Sequence, residues 1–215
     1  MRAHPLYIWL GLIYNFFMNK TYKLVCIGML TALSIVANLL TIPLFGTNSM
    51  SFTVAVCFFV GIYFGALPAA VVGFTGDLIA HFILPMGDYN IFIALSTTLF
   101  GVICALIFKL RLPKLACLSI AAVVCYVVCL CGLNTFGLWL YYCAKVSPTP
   151  AGLVQFFTMD KSSITKSFWV YLSARAPWSA INVVVNAVVV AGLVQSGVIE
   201  KLIAKVRDNG KTEEK

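Results

Sequence analysis

Asp77 and His81 stand four residues apart in GFTGDLIAHFILPMGDYN, a polar interruption of a very apolar chain. No Asp, Glu, Lys or Arg occurs between Lys23 and Asp77. At helical spacing a carboxylate and an imidazole share one face. Such a pair suits a proton relay, half a metal site, or polar contact with a ligand. Two ligands at i and i+4 hold a metal weakly and no third is evident, so no metal is expected. Asp88, Tyr89 and Asn90 follow closely, Asn38 and Thr41 precede, and Asn134, Thr135 and Arg175 come later, with Pro177 and Trp178 just behind Arg175. Other chemistry is missing. There is no GxxxxGK[ST] phosphate loop, no HExxH, and only His4 and His81 to serve a nucleophile–base pair. An enzyme is not expected, and no cofactor is implied.

The elements that carry these residues follow from composition. Of 215 residues, 61% are hydrophobic and 10% charged, where soluble domains carry about 25% charged residues. Apolar runs near the length of a bilayer recur, and backbone in lipid must satisfy itself, so the expected fold is an all-α integral membrane protein. It is a six-helix transmembrane bundle preceded by a short interfacial helix. The Trp- and Tyr-bearing stretch 6–17 within segment 1–20 is that interfacial piece. The membrane domain covers 21–204, with spans over about 24–42, 52–66, 68–84, 91–108, 115–142 and 168–203, and 205–215 is a cytoplasmic tail. The last two spans exceed what a bilayer needs, and Pro177 is the expected break in the sixth.

The net charge of +8 is topological, not a sign of nucleic-acid binding. Lys20 and Lys23, then Lys109, Arg111 and Lys114, then Lys201, Lys205 and Arg207 all fall on one side of six spans. That side is the cytoplasm, with both termini on it. Lys145, Lys161 and Lys166 run against the rule without reversing it. The eight cysteines lie mostly in apolar runs, with no CxxC pair, and read as small packing residues.

Small residues recur at four-residue spacing: Gly28 and Ala32, Gly61 and Gly65, Ala69 and Gly73, Gly101 and Ala105, Ala187 and Ala191. Such faces let helix backbones approach closely, most simply within the bundle itself. Asn38, Asp77, Asp88, Tyr89, Asn90, Asn134, Arg175 and Trp178 all fall toward the outer side. An ionisable group within a span costs on the order of 2.5–3.5 kcal/mol, so it usually faces a cavity or partner. Together these residues predict an outward-facing pocket for a polar, aromatic or anionic small molecule. Arg175 would grip a carboxylate with two hydrogen bonds. The plainer reading is an arginine snorkelling to the interface.

Several stretches resemble the substrate-binding S components of energy-coupling factor (ECF) transporters. CIGMLTALSIVANLLTIPL is similar to their first helix, and VGIYFGALPAAVVGFTGDLIAHFILPMGDY to their second and third. GLNTFGLWLYY and YLSARAPWSAINVVVNAVV resemble the fifth and sixth helices of the folate branch. The resemblance implies capture of a vitamin or related micronutrient and uptake driven by a transmembrane coupling protein with two cytoplasmic ATPases. It places the chain in the plasma membrane of a prokaryote. It gives Gly28 and Ala32 to contact with the coupling protein. Asp77 matches a recurrent third-helix Asp, Asn134 the fifth-helix Leu-Asn-Thr, and Arg175 the sixth-helix Arg. Asn38 stands where folate members often carry Arg, and Tyr-Asn-Ile-Phe-Ile where they often read Tyr-Phe-Pro-Gly-Phe. The competing readings are a proton-coupled secondary transporter using Asp77 and His81, a scaffold without ligand, and a membrane enzyme.

Overall fold

In hydrocarbon a helix is stable because every interior N–H and C=O is bonded within the segment, so helices dominate once the runs are apolar. The computed structural model describes residues 20–43, 49–85, 88–110, 112–159, 162 and 164–197. The expected interfacial stretch 6–17, Arg111, Lys161, the Lys201–Lys205–Arg207 cluster and the tail lie outside these residues.

Helix α1 covers Lys20–Leu39. A two-residue antiparallel ladder, β1 (Ile42–Pro43) against β2 (Ser49–Met50), links it to α2, Thr53–Phe64. Helix α3 is Ala66–Ile83 and α4 is Ile91–Ile107. Helix α5, Lys114–Cys125, passes into a π-helical turn, Tyr126–Asn134, and on into α6, Thr135–Tyr142. Helix α7 is Pro150–Thr158 and α8 is Phe168–Ser196. Ala66–Ile83, Lys114–Tyr142 and Phe168–Ser196 are long and apolar enough to cross a membrane, while Lys23–Leu39, Thr53–Phe64 and Ile91–Ile107 are shorter apolar helices.

Gly65 alone joins α2 to α3, at φ 92, a backbone conformation that costs a side-chain-bearing residue energy. It is therefore a corner rather than part of the packing face expected for Gly61 and Gly65. Pro68 lies in the first turn of α3, where its missing N–H removes no internal bond.

Two expectations for the last span fail. Pro177 does not break it, because α8 runs continuously from Phe168 to Ser196. Its lost hydrogen bond would have gone to Ser173, and both residues are exposed, so the ring crowds nothing packed. The helix also stops before 203, at Gly197, whose φ of 62 is a left-handed terminating conformation. The irregularity lies in the fifth span, as the π turn.

Helix α4 packs against α2, α3, α5, the π turn and α6. Glycines permit this. A Cβ on Gly61 would strike Gly101 O, one on Gly73 would lie 2.7 Å from Thr97 O, and one on Gly101 2.5 Å from Ala69 Cβ and 2.8 Å from Cys57 O. Those small-residue faces serve internal packing. Gly101→Ala is accordingly expected to destabilise the fold by about 1–3 kcal/mol through overpacking of backbone against backbone. Thermal unfolding in detergent checks it, and an unchanged midpoint would show that α4 can move aside. The core around this helix holds Phe58 and Phe100 edge to face at 6.4 Å, with Cys104, Ala121, Cys125 and Val190.

The described residues 144–159 and 164–167 form a folded cap over one end of the bundle. Pro150 opens α7 and the Thr149 hydroxyl accepts from Gly152 N at 3.3 Å. Trp139 Nε1 donates to Lys166 O at 2.8 Å, and Thr165 N donates to Cys143 O at 3.1 Å. Trp139, Leu140, Cys143, Ala144 and Val146 are buried beneath it, with Phe136, Phe156 and Phe168 packed on.

Candidate functional site

The predicted site residues fall into two groups at the same end of the helices. In the first, α1 and α3 approach closely because Gly76 has no side chain, and a Cβ there would lie 2.5 Å from Ser34 Oγ. One turn beyond Ser34, Asn38 Nδ2 donates to Asp77 Oδ1 at 3.2 Å, and Asp77 is buried. Asn38 in turn is held by the Thr41 hydroxyl, which donates to its backbone carbonyl. His81 sets its ring edge to face on Tyr89, centroids 5.1 Å apart. No hydrogen bond joins His81 to Asp77 among the described residues.

Tyr89 Oη is buried and has no partner among the described residues. Burial and the Asp77 carboxylate push the Tyr89 phenol up to about 12, so at neutral pH it is an O–H donor. Asp88 is exposed. Asn90 is the N-cap of α4, its Oδ1 accepting from Phe92 N at 3.1 Å. Its amide also fills the space left by Gly137, where a Cβ would lie 2.5 Å from Asn90 Oδ1. Asn90 thus carries a structural task that its polar type alone did not disclose.

The second group is built on the π turn and α8. Arg175 is buried, and its Nη2 donates to Asn134 Oδ1 at 3.2 Å. Its Cζ lies 5.8 Å from the Tyr171 ring centroid, one helical turn earlier. Nε and Nη1 are buried with no partner among the described residues. This placement excludes simple snorkelling, since a snorkelling guanidinium reaches water. Trp178 is half-buried three residues further along α8. Gly137 links the two groups: it stands one turn beyond Asn134 and contacts Asn90, which adjoins Tyr89.

Asn134 takes one hydrogen on Nη2, so one edge of the guanidinium stays available for two parallel bonds to a carboxylate. In the first group Asp77 and Asn38 offer a carboxylate and a carbonyl oxygen, and Tyr89 a donor. Among the described residues no three His, Cys, Asp or Glu side chains meet as a metal site. An open crease bordered by Val128, Gly132, Leu133, Phe136 and Phe168 runs along the outside of the π turn, but hydrocarbon alone cannot orient a polar ligand.

Tyr171 was not anticipated, although its place four residues before Arg175 is a readable signal. Asn182 and Asn186 were also passed over. Asn186 is fully buried, and its Oδ1 accepts from Ala55 N at 3.0 Å, in the first turn of α2. Its Nδ2 donates to Ser51 O at 3.0 Å and to Asn182 O and Oδ1 at 2.8 Å each. Paired asparagines at i and i+4 in an apolar run were the available sign.

Gly28 and Ala32 lie on an exposed face of α1, among Leu24, Met29 and Leu33. A Cβ on Gly28 would meet nothing within 4 Å. This pair has no packing role inside the described bundle, unlike Gly61, Gly73 and Gly101.

Comparison with known proteins bears on the whole arrangement. A family model for the substrate-specific component of ECF transporters matches residues 22–194. A solved structure of the S component of a bacterial ECF transporter matches at 18% identity, covering 86% of this chain and 99% of that one with a TM-score of 0.59. That likeness is one of fold. No curated protein matches the sequence. With the family pattern running through nearly all of the described helices, the chain belongs to the substrate-specific components of ECF transporters, a family of membrane-embedded transport subunits rather than enzymes.

Proposed function

We propose that this protein captures a carboxylate-bearing micronutrient of vitamin type, with the folate branch the nearest pattern, and passes it to an ECF coupling protein driven by two cytoplasmic ATPases. The observation that carries this reading is the buried Arg175 guanidinium with Nε and Nη1 unpartnered. A buried cation left incompletely paired is expensive. Fold stability gives no reason to keep it, whereas an anionic ligand does. Asn134 and Tyr171 would orient the guanidinium, with Asn38, Asp77, Tyr89 and Trp178 as further ligand contacts and Asp88 and Asn90 at the rim. Six crossings of a prokaryotic plasma membrane with both termini cytoplasmic, within 21–204, set this pocket on the outer side.

Native mass spectrometry of protein purified from its own host's membranes tests the proposal. The expected spectrum contains a small carboxylate-bearing adduct and coupling and ATPase subunits. Bare protein with neither would favour a ligand-free scaffold.

The exposed Gly28–Ala32 face supports coupling-protein contact, since small residues outside the bundle serve close approach of another helix. Gly28→Leu is expected to reduce co-purification of the coupling protein by about tenfold, because the added side chain prevents the close backbone approach that small residues allow. Its melting temperature and ligand binding should match the parent, because the new side chain meets only open space. Undiminished co-purification would move the partner surface elsewhere.

A further inference from the structure

The helix Lys114–Tyr142 is continuous, yet its middle, Tyr126–Asn134, is wound as a π-helix. Thr135 N bonds to Leu130 O, five residues back. A π turn absorbs one extra residue and occurs frequently at functional sites. Here both flanks are pinned. On the α5 side Cys125 is fully buried in the main core. On the α6 side Gly137 closes on Asn90 and Trp139 is tied to Lys166. The extra residue must be taken up between them. Each α-helical residue advances about 100°, so the turn decides which way Asn134, its last residue, projects.

Two buried hydroxyls hold the widened turn. Ser96 Oγ, from α4, donates to Cys129 O at 3.1 Å, and Thr135 Oγ1 donates to Leu130 O at 2.7 Å. Both serine and threonine are fully buried. The turn is also tied to α8 on either side of one peptide: Tyr126 Oη donates to Ala176 O at 3.1 Å, and Asn134 accepts from Arg175 at 3.2 Å.

We propose that the π turn is the positioning device of the anion site: its extra residue rotates Asn134 onto Arg175 and so aims the guanidinium, with Ser96 as the positioning residue that holds the turn in place. This rests on reading Arg175 as the ligand's grip. In this chain the anion site is therefore not carried by the arginine alone. The same Asn and Arg on a regular α-helix would face different ways.

The test reads Arg175 without ligand. The chain has four arginines, Arg2, Arg111, Arg175 and Arg207, so 15N-arginine-labelled protein in nanodiscs gives a short guanidinium spectrum, with Arg175→Lys assigning the signals. Asn134→Ala should speed hydrogen exchange at the Arg175 guanidinium about five- to tenfold, as expected for one lost hydrogen bond. Ser96→Ala should shift the same signals in the same direction, and Ser96→Thr should restore them. A folded Ser96→Ala protein with parental Arg175 exchange overturns the proposal. If Ser96→Ala does not fold, Thr135→Val, which removes the other hydroxyl on the turn, decides, and parental exchange there overturns it equally. Variants that lose this protection yet retain the full mass of co-purified ligand would support the positioning and overturn the reading of Arg175 as the grip.

Discussion

Arg175→Met is expected to weaken ligand binding by at least about 30-fold, because a two-point charge-assisted contact contributes on the order of 2 kcal/mol or more. The same substitution should raise the melting temperature of the ligand-free protein. The signs differ because the two states give the guanidinium different partners. Without ligand it is buried with one hydrogen bond, to Asn134, and two bare nitrogens. Replacing an imperfectly paired buried charge with an apolar side chain of similar size typically gains about 1–4 kcal/mol. Against that stands the orphaned Asn134 oxygen, roughly 1 kcal/mol for a half-buried amide. The gain wins. Calorimetric binding of the co-purified ligand and thermal unfolding with and without it measure both arms. A fall in apo stability would mean Arg175 belongs to the fold, and unchanged affinity would mean it does not touch ligand. Arg175→Lys separates charge from geometry: it keeps the cation but not the planar fork, so most of the affinity should still be lost.

Asn186→Leu should have the largest effect on stability, a loss of about 2–5 kcal/mol. The residue is nearly isosteric with leucine, so the cost is polar. Phe52, at the N-cap of α2, offers no side-chain oxygen. Asn186 supplies it from another helix, accepting from Ala55 N and donating to Ser51 O. Its removal strands a donor and an acceptor where water is scarce, each costing about 1–3 kcal/mol. Asn182→Leu removes only the acceptor half of the pair and should cost less than half as much. Chemical or thermal unfolding in a fixed detergent gives the comparison. A loss below about 1 kcal/mol would show that the start of α2 finds other partners. Ligand affinity should stay within about threefold of the parent in any folded fraction, because Asn186 lies eleven residues from Arg175 along α8, roughly 16 Å.

Periodicity along the chain reveals which segments must be helical and which glycines are unusual, but not what each glycine faces. Gly61, Gly73 and Gly101 look like Gly28 in sequence: each has another small residue four positions away. Three press against neighbouring backbone and one faces outward, a distinction that needs the positions of other helices. Pro177 shows the same limit. A proline marks a missing hydrogen bond, yet whether the helix breaks depends on what surrounds the ring, and here that side is exposed. In the cap, T-P-A-G is a readable helix start: a Thr cap, Pro at the first position, and Gly152 where a Cβ would strike Ser147 O.

The sequence by itself determined that this is a helical membrane protein of the ECF substrate-specific family. Those properties follow from hydrocarbon solvation of the backbone and from short patterns that stay intact along the chain. It also named Asn38, Asp77, Asn134 and Arg175, since polar groups are costly enough in apolar runs to stand out. Only the tertiary structure paired them, Asn38 with Asp77 and Asn134 with Arg175. It alone made Asn90 a cap, Asn186 the anchor of α2, and the fifth helix a π turn. Hydrogen bonds across 39, 41 and 131 residues of chain depend on where helices meet, and that is set by close packing of side chains that no local pattern records.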